Sequence, residues 1–174
     1  MRLTLETQRL ILRPFDTSDA SDMFNGWASD EDVTKYLTWN THKTVEDTRQ
    51  ILAIWEAQYD KPERLNFAIT LKKDQTLIGG IDVVGYLDKV PVIGYNLSKK
   101  YWNNGYMTEA VKCLLNYLFS IGHNRVIIDA IVENIASNRV ILKCGGIFQY
   151  TYEEFFKQKN KAFNINRYIV EKGE

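Results

Sequence analysis

Asn103-Asn104-Gly105-Tyr106 stands between a β-rich run, Val90 to Leu97, and an apolar stripe at helical spacing formed by Met107, Val111, Leu114, Leu115 and Leu118. A turn that opens a helix leaves several backbone N–H groups without acceptors, and the helix dipole adds partial positive charge there. Such ends bind phosphate groups. The asparagines tolerate unusual backbone angles, and Gly105 lets an anion reach the main chain without meeting a side chain. By itself the tetrapeptide is better explained as a plain loop ahead of a helix. Neither a Walker loop nor a Gly-x-Gly-x-x-Gly fingerprint occurs, so nucleoside triphosphate and NAD readings lose their main support.

Other groups could act beside this turn. Asp82 lies in the apolar strand Ile81-Asp82-Val83, where burial would raise its pKa and make it a candidate base, although a solvent-facing carboxylate is the commoner case. Asn134 directly precedes a helical pattern and reads as its N-cap, with the Ser137 hydroxyl on the first turn. Glu109 sits in the first turn of the preceding helix, where stabilising the dipole accounts for it. Trp27, Tyr36, Trp39 and His42 cluster in one segment and could wall an amine site, while covering the sheet explains most of them. His42 and His123 read as surface groups, and no spacing of ligands implies a metal.

These residues need a frame. Leu3, Leu5, Leu10 and Leu12 mark a first strand over roughly residues 3 to 13, ended by Pro14. Asp16-Thr17-Ser18-Asp19 and Thr44-Val45-Glu46-Asp47 offer caps for two or three short helices. Leu65 to Leu71 and Leu77 to Val84 read as strands with a hairpin at Asp74-Gln75, followed by Val90 to Leu97, the long helix, a strand from Arg125 to Val132 and a helix ending in Gly145-Gly146. Ile147 to Phe156 and Phe163 to Val170 close the chain as a hairpin.

The 174 residues, 45% of them hydrophobic, predict one domain spanning 1–174, without repeats or linkers. Lys+Arg and Asp+Glu both number 22, so no net field recruits nucleic acid or an anionic membrane. The opening residues interrupt any apolar run too early for a secretory signal, no later run reaches membrane-spanning length, and Cys113 and Cys144 have no Cys-x-x-Cys partner. A soluble, cytoplasmic protein with two structural thiols is expected.

The stretch Ile93-Gly94-Tyr95-Asn96-Leu97 with Tyr101-Trp102-Asn103-Asn104-Gly105-Tyr106-Met107-Thr108-Glu109-Ala110 resembles the acetyl-CoA signature of the GNAT acetyltransferases, nearest to the ribosomal-protein N-terminal acetyltransferase-like branch. Glu6 to Phe15 resembles that branch's opening strand, and Glu133 to Gly146 resembles its Asn-x-x-Ser element. The resemblance implies an α/β (α+β) fold: a mixed, mainly antiparallel twisted sheet of about seven strands with a central splayed parallel pair, flanked by about four helices. It implies acetyl-CoA as co-substrate and no metal. Tyr95, Asn96, Leu97, Asn103, Asn104, Gly105, Tyr106, Met107, Thr108, Asn134 and Ser137 would bind it. Backbone N–H groups near Asn96 and Leu97 would stabilise the oxyanion, and Ser137 would protonate the leaving sulfur. The implied activity is direct transfer to a primary amine, either a protein N-terminus or a small molecule, with assembly left open as far as a homodimer.

Three departures stand out. Val92 replaces a glutamate that many members carry two residues before the Gly-Tyr, Ile141 replaces a tyrosine acid of other branches, and Met107 replaces a small residue near the phosphates. The position of Met107 in the apolar stripe turns its side chain toward the core. Val92 motivates the alternative of a catalytically silent acyl-CoA-binding regulatory domain. A nucleic-acid module lacks a basic stripe beside its aromatics, and a cysteine-nucleophile transferase lacks a histidine near either cysteine in sequence.

Overall fold

A computed structural model describes residues 3–61 and 64–173. Its eight strands form one sheet, β1 (Leu5–Glu6), β2 (Leu10–Arg13), β3 (Asn66–Leu71), β4 (Leu77–Leu87), β5 (Val90–Leu97), β6 (Arg125–Ile131), β7 (Ile147–Phe156) and β8 (Lys161–Glu171), in the order β1-β2-β3-β4-β5-β6-β8-β7. Five α-helices accompany them: α1 (Ala20–Met23), α2 (Glu31–Thr34), α3 (Val45–Glu56), α4 (Tyr106–Ser120) and α5 (Ile135–Lys143). Every pairing is antiparallel except that of β5 with β6.

β3 shows how the layers arise. All six of its residues are buried, because both faces are covered. Phe67, Ile69 and Leu71 join the core that Val111, Leu114 and Leu118 of α4 complete, whereas Ala68 turns to the opposite face against Met23, Trp27 and Leu52. Period-two alternation thus sends β3 side chains into two separate cores, one under α4 and α5 and one under α1 to α3.

The expected first strand is two. Residues 3–13 fold back on themselves, with Leu5 opposite Leu12 and Glu6 opposite Ile11. No glycine or proline marks the reversal. The Thr7 hydroxyl accepts the Leu10 amide at 2.8 Å, and the Thr7 amide donates to the Leu10 carbonyl at 3.0 Å, so a side chain does what a turn residue usually does. This hairpin raises the strand count to eight. The other local signals hold: Asp16 and Asp19 form a capping box, as do Thr44 and Asp47, and Asn134 caps α5.

Candidate active site

Gly105 has φ +76°, the left-handed region that suits glycine, and it occupies the capping position of α4 with no side chain capping the helix. Glu109 donates its amide to the Gly105 carbonyl at 3.1 Å, which begins the helical ladder and leaves the amides of Gly105, Tyr106, Met107 and Thr108 facing outward. Asn103 is also left-handed, and the Asn104 side-chain amide ties the loop by donating to the Tyr101 and Trp102 carbonyls. Met107 is only 5% exposed within the α4 core, so its bulk lies away from the turn. The turn fits a diphosphate: uncapped amides, a dipole end, and no Cβ at its tightest point.

Arg9 escaped the reading of the sequence. Its Nε donates to Glu109 Oε2 at 2.7 Å, its Nη1 to the Asn104 carbonyl at 3.1 Å, and its guanidinium lies 4.4 Å from the Tyr106 ring centroid. A Cβ built on Gly105 would sit 3.6 Å from Arg9 Nη2. Glu109 also accepts from the Thr7 hydroxyl and the Arg9 amide, so it clamps the β1–β2 hairpin onto the glycine turn. That is more than a dipole contact. These donors hold its carboxyl below the usual range even though burial pushes it up. The partners are about a hundred positions apart, which explains why local patterns hide them.

β5 and β6 pair only at Val92–Ile127 and Ile93–Ile128. Beyond these residues β5 continues along β4 to Leu97, while β6 continues along β8 to Ile131, so the strands part. The phase of the ladder decides which amides line the gap. The Ser98 amide bonds the Ile78 carbonyl at 2.8 Å, and the Val83 amide turns away from β5 to the Leu65 carbonyl at 2.8 Å. By alternation, Gly94 and Asn96 direct their amides to β4, and Tyr95 and Leu97 direct theirs to the gap. Of the two expected oxyanion positions, Leu97 is therefore oriented for the task and Asn96 is not.

Side chains divide the same way. Tyr95 reaches toward α5, where its hydroxyl lies 2.9 Å from Ser137 Oγ, and the Ser137 amide donates to Asn134 Oδ1 at 3.2 Å. Burial pushes the Tyr95 phenol up, so it stays neutral and can share a proton with Ser137. Asn96 turns to the other face, near Gly80 and Phe15. Asn96 Oδ1 and Trp27 Nε1 are both buried there without a hydrogen-bond partner, as happens where a bound group or water completes a site.

The parted strands open into a cleft of about 600 Å³ lined by Asn134, Ser137 and Tyr95 and also by Asp82, Asn96, Tyr36 and Trp39. Asp82 lies opposite Gly94, whose missing side chain leaves the carboxyl open to the cleft. A methyl at Gly94 would lie 3.5 Å from Asp82 Oδ1. Burial raises the Asp82 pKa to about 7 against the opposing charge of Arg64. Val92 lines the same cleft, so a carboxylate on the neighbouring strand faces the space that Val92 leaves apolar. Trp27, Tyr36 and Trp39 line it, although Trp27 is fully buried in the core under α1 to α3. His42 is not a surface group: it is half-buried, its ring 5.0 Å from that of Trp39 and its Nδ1 2.7 Å from Thr48 Oγ1.

A second network was not visible in the sequence. Arg167 on β8 holds Asp129 on β6 through Nε at 3.0 Å and Nη2 at 2.7 Å. Tyr152 on β7 donates its hydroxyl to Asp129 at 3.0 Å, and Glu154 lies on the same strand face two residues on. Cys113 and Cys144 are unpaired, and burial raises both thiols, Cys144 to about 11, which leaves them poor nucleophiles.

The site thus consists of a parted parallel strand pair beside an uncapped helix turn. A family profile described as "Acetyltransferase (GNAT) domain" matches residues 9–147. "Uncharacterized N-acetyltransferase YoaA" of Bacillus subtilis (strain 168) is 28% identical over 171 residues, covering 97% of this chain and 96% of that protein. A crystal structure of a GNAT-family acetyltransferase from Bacillus anthracis superposes with a TM-score of 0.84 at 27% identity, covering 97% of this chain and 98% of that one. Microcin C7 self-immunity acetyltransferase MccE, crystallised with acetyl-CoA and AMP, shares the fold with a TM-score of 0.83 at 18% identity, over 95% of this chain and 93% of that one. The chain belongs to the GNAT acetyltransferase family and is an enzyme of acetyl transfer from acetyl-CoA.

Proposed function

We propose that the protein transfers the acetyl group of acetyl-CoA directly to a primary amine, without a covalent enzyme intermediate. The observation that carries this reading is the parting of β5 from β6 over a continuous cleft, with Ser137 at one end and Asp82 at the other. A thioester lying in the gap meets an acceptor beside Asp82. The amides of Gly105 to Thr108 take the pyrophosphate, and Asn134 caps α5 through Oδ1 while its Nδ2 serves the pantetheine arm. Asp82 accepts the proton of the acceptor ammonium, and the neutral amine attacks the carbonyl carbon. The Leu97 amide stabilises the developing oxyanion. As the N–C bond forms and the C–S bond breaks, the nitrogen loses its second proton, and Ser137, steadied by Tyr95, relays a proton to the departing sulfur and is reprotonated in turn. Two unpaired thiols and the absence of a membrane-crossing helix among the described residues are compatible with work in the cytoplasm.

Thiol release with candidate amines tests the reading, alongside calorimetric titration with CoA. Binding of CoA without turnover of any primary amine or peptide N-terminus would sink it. Ser137→Ala should lower kcat at least about tenfold, the low side of a general acid's contribution because thiolates leave readily, with KM for acetyl-CoA little changed. A change below twofold would remove Ser137 from the chemistry. Arg9→Met should raise KM for acetyl-CoA roughly tenfold, the worth of one charge-assisted hydrogen bond, with kcat nearly preserved. An unchanged KM would leave Arg9 as only a strut for the hairpin.

A further inference from the structure

We infer that the acceptor is a small diamine, two amino groups on an aliphatic spacer with no carboxylate. The inference rests on the amine-acetylating reading and names its substrate class. The charges lining the cleft are Asp82, Asp129, Glu154 and Arg167. Asp129 and Arg167 neutralise one another, and four hydrogen bonds, two to Asp129 and one each to Tyr150 and Tyr152, engage four of the five guanidinium donors. Arg167 is thus spent on the protein and has little left for a substrate carboxylate. Asp82 and Glu154 remain. Arg64 acts on Asp82 from outside the cleft lining without forming an ion pair with it, and Glu154 has no ion pair among the described residues, its neighbour being the Tyr152 hydroxyl at 3.4 Å, whose proton goes to Asp129.

Two carboxylates lining one cleft, one from β4 and one from β7, suit a molecule with a cation at each end. Asp82 receives the reacting amine, and Glu154 holds the distal ammonium. Tyr36 and Trp39 line the same cleft, and their rings attract ammonium groups and pack against methylenes. Asn96, whose orphaned Oδ1 can accept a further N–H, and Trp27 line it as well.

The cleft limits size. The tip of the β7–β8 hairpin is tied to α2 and the loop after it, Asn40 donating its side-chain amide to the Gln158 carbonyl at 2.9 Å and Lys159 Nζ donating to the Thr34 carbonyl at 2.8 Å. The cleft of about 600 Å³ would also hold the thioester, which leaves space for a short acceptor.

Four acceptors decide the matter in a thiol-release assay: 1,4-diaminobutane, butylamine and 4-aminobutyrate, which share a four-carbon chain, and a short peptide with a free N-terminus. The diamine should exceed butylamine in kcat/KM by at least about tenfold, and 4-aminobutyrate should fall below butylamine by a similar factor, as expected for one partly desolvated charge contact. Glu154→Gln should raise KM for the diamine about tenfold with kcat held, which a merely structural residue would not do. Preference for 4-aminobutyrate or the peptide, or equal rates for diamine and butylamine, would overturn the inference while leaving amine acetylation intact. Turnover of none of the four, with CoA still bound, would instead overturn the amine-acetylating reading beneath it.

Discussion

Gly105→Val should lower affinity for CoA by about 100-fold or more while the protein still folds. Two effects combine. A side chain at φ +76° strains the turn by roughly 1–2 kcal/mol, and its γ-carbons project where the pyrophosphate must approach the amides of Gly105 to Thr108. Losing two charge-assisted hydrogen bonds of about 1.5–3 kcal/mol each accounts for the larger share. Strain alone would cost only a few degrees in Tm for a chain of this size. Gly122 provides the control: it has φ +105° at the far end of α4, with no atom within 4 Å of a built Cβ. Gly122→Val should show a comparable thermal loss with unchanged CoA affinity. Calorimetric titration of both variants separates the outcomes, and equal CoA affinities would mean that the turn does not bind the diphosphate.

Asp82→Asn should reduce kcat with acceptor amines by about 100-fold, the lower range for removal of a general base. A base must be unprotonated. With its pKa raised to about 7, the wild-type kcat/KM should climb as pH rises through that region and level off above it, and the variant should lose that limb. Stability should move the other way. The folded-state pKa lies above the unfolded value of about 4, so the folded protein favours the protonated carboxyl, and this contribution is complete at low pH and lost as pH rises through about 7. The asparagine variant should therefore melt higher than wild type at pH 8 and equally at pH 4. A variant that keeps its rate and its pH limb would remove Asp82 from the mechanism, whatever its melting temperature. Such opposition of stability and activity is common where a charge is held in a dry site.

Much of the site was legible locally. A glycine between a strand and an apolar helical stripe, an asparagine ahead of a second helix and alternating strands all depend on neighbours a few residues away, so the chain records them directly. The same logic placed Met107 in the core from its position in the stripe. It failed at residues 3–13. There the reversal depends on Thr7 and on Glu109, a hundred positions further on, rather than on glycine or proline.

The amino-acid sequence by itself thus determined the glycine turn that opens α4, the Asn134-capped helix α5, most of the element order and the family. Only the tertiary structure decided that Leu97 and not Asn96 turns its amide to the gap, that Asp82 shares a cleft with Val92 rather than facing water, and that Arg167 is already paired. The reason is register. Side chains and amides alternate with every residue, so a slip of one position between distant strands would exchange the lining of the site for its opposite, and no local pattern records that pairing.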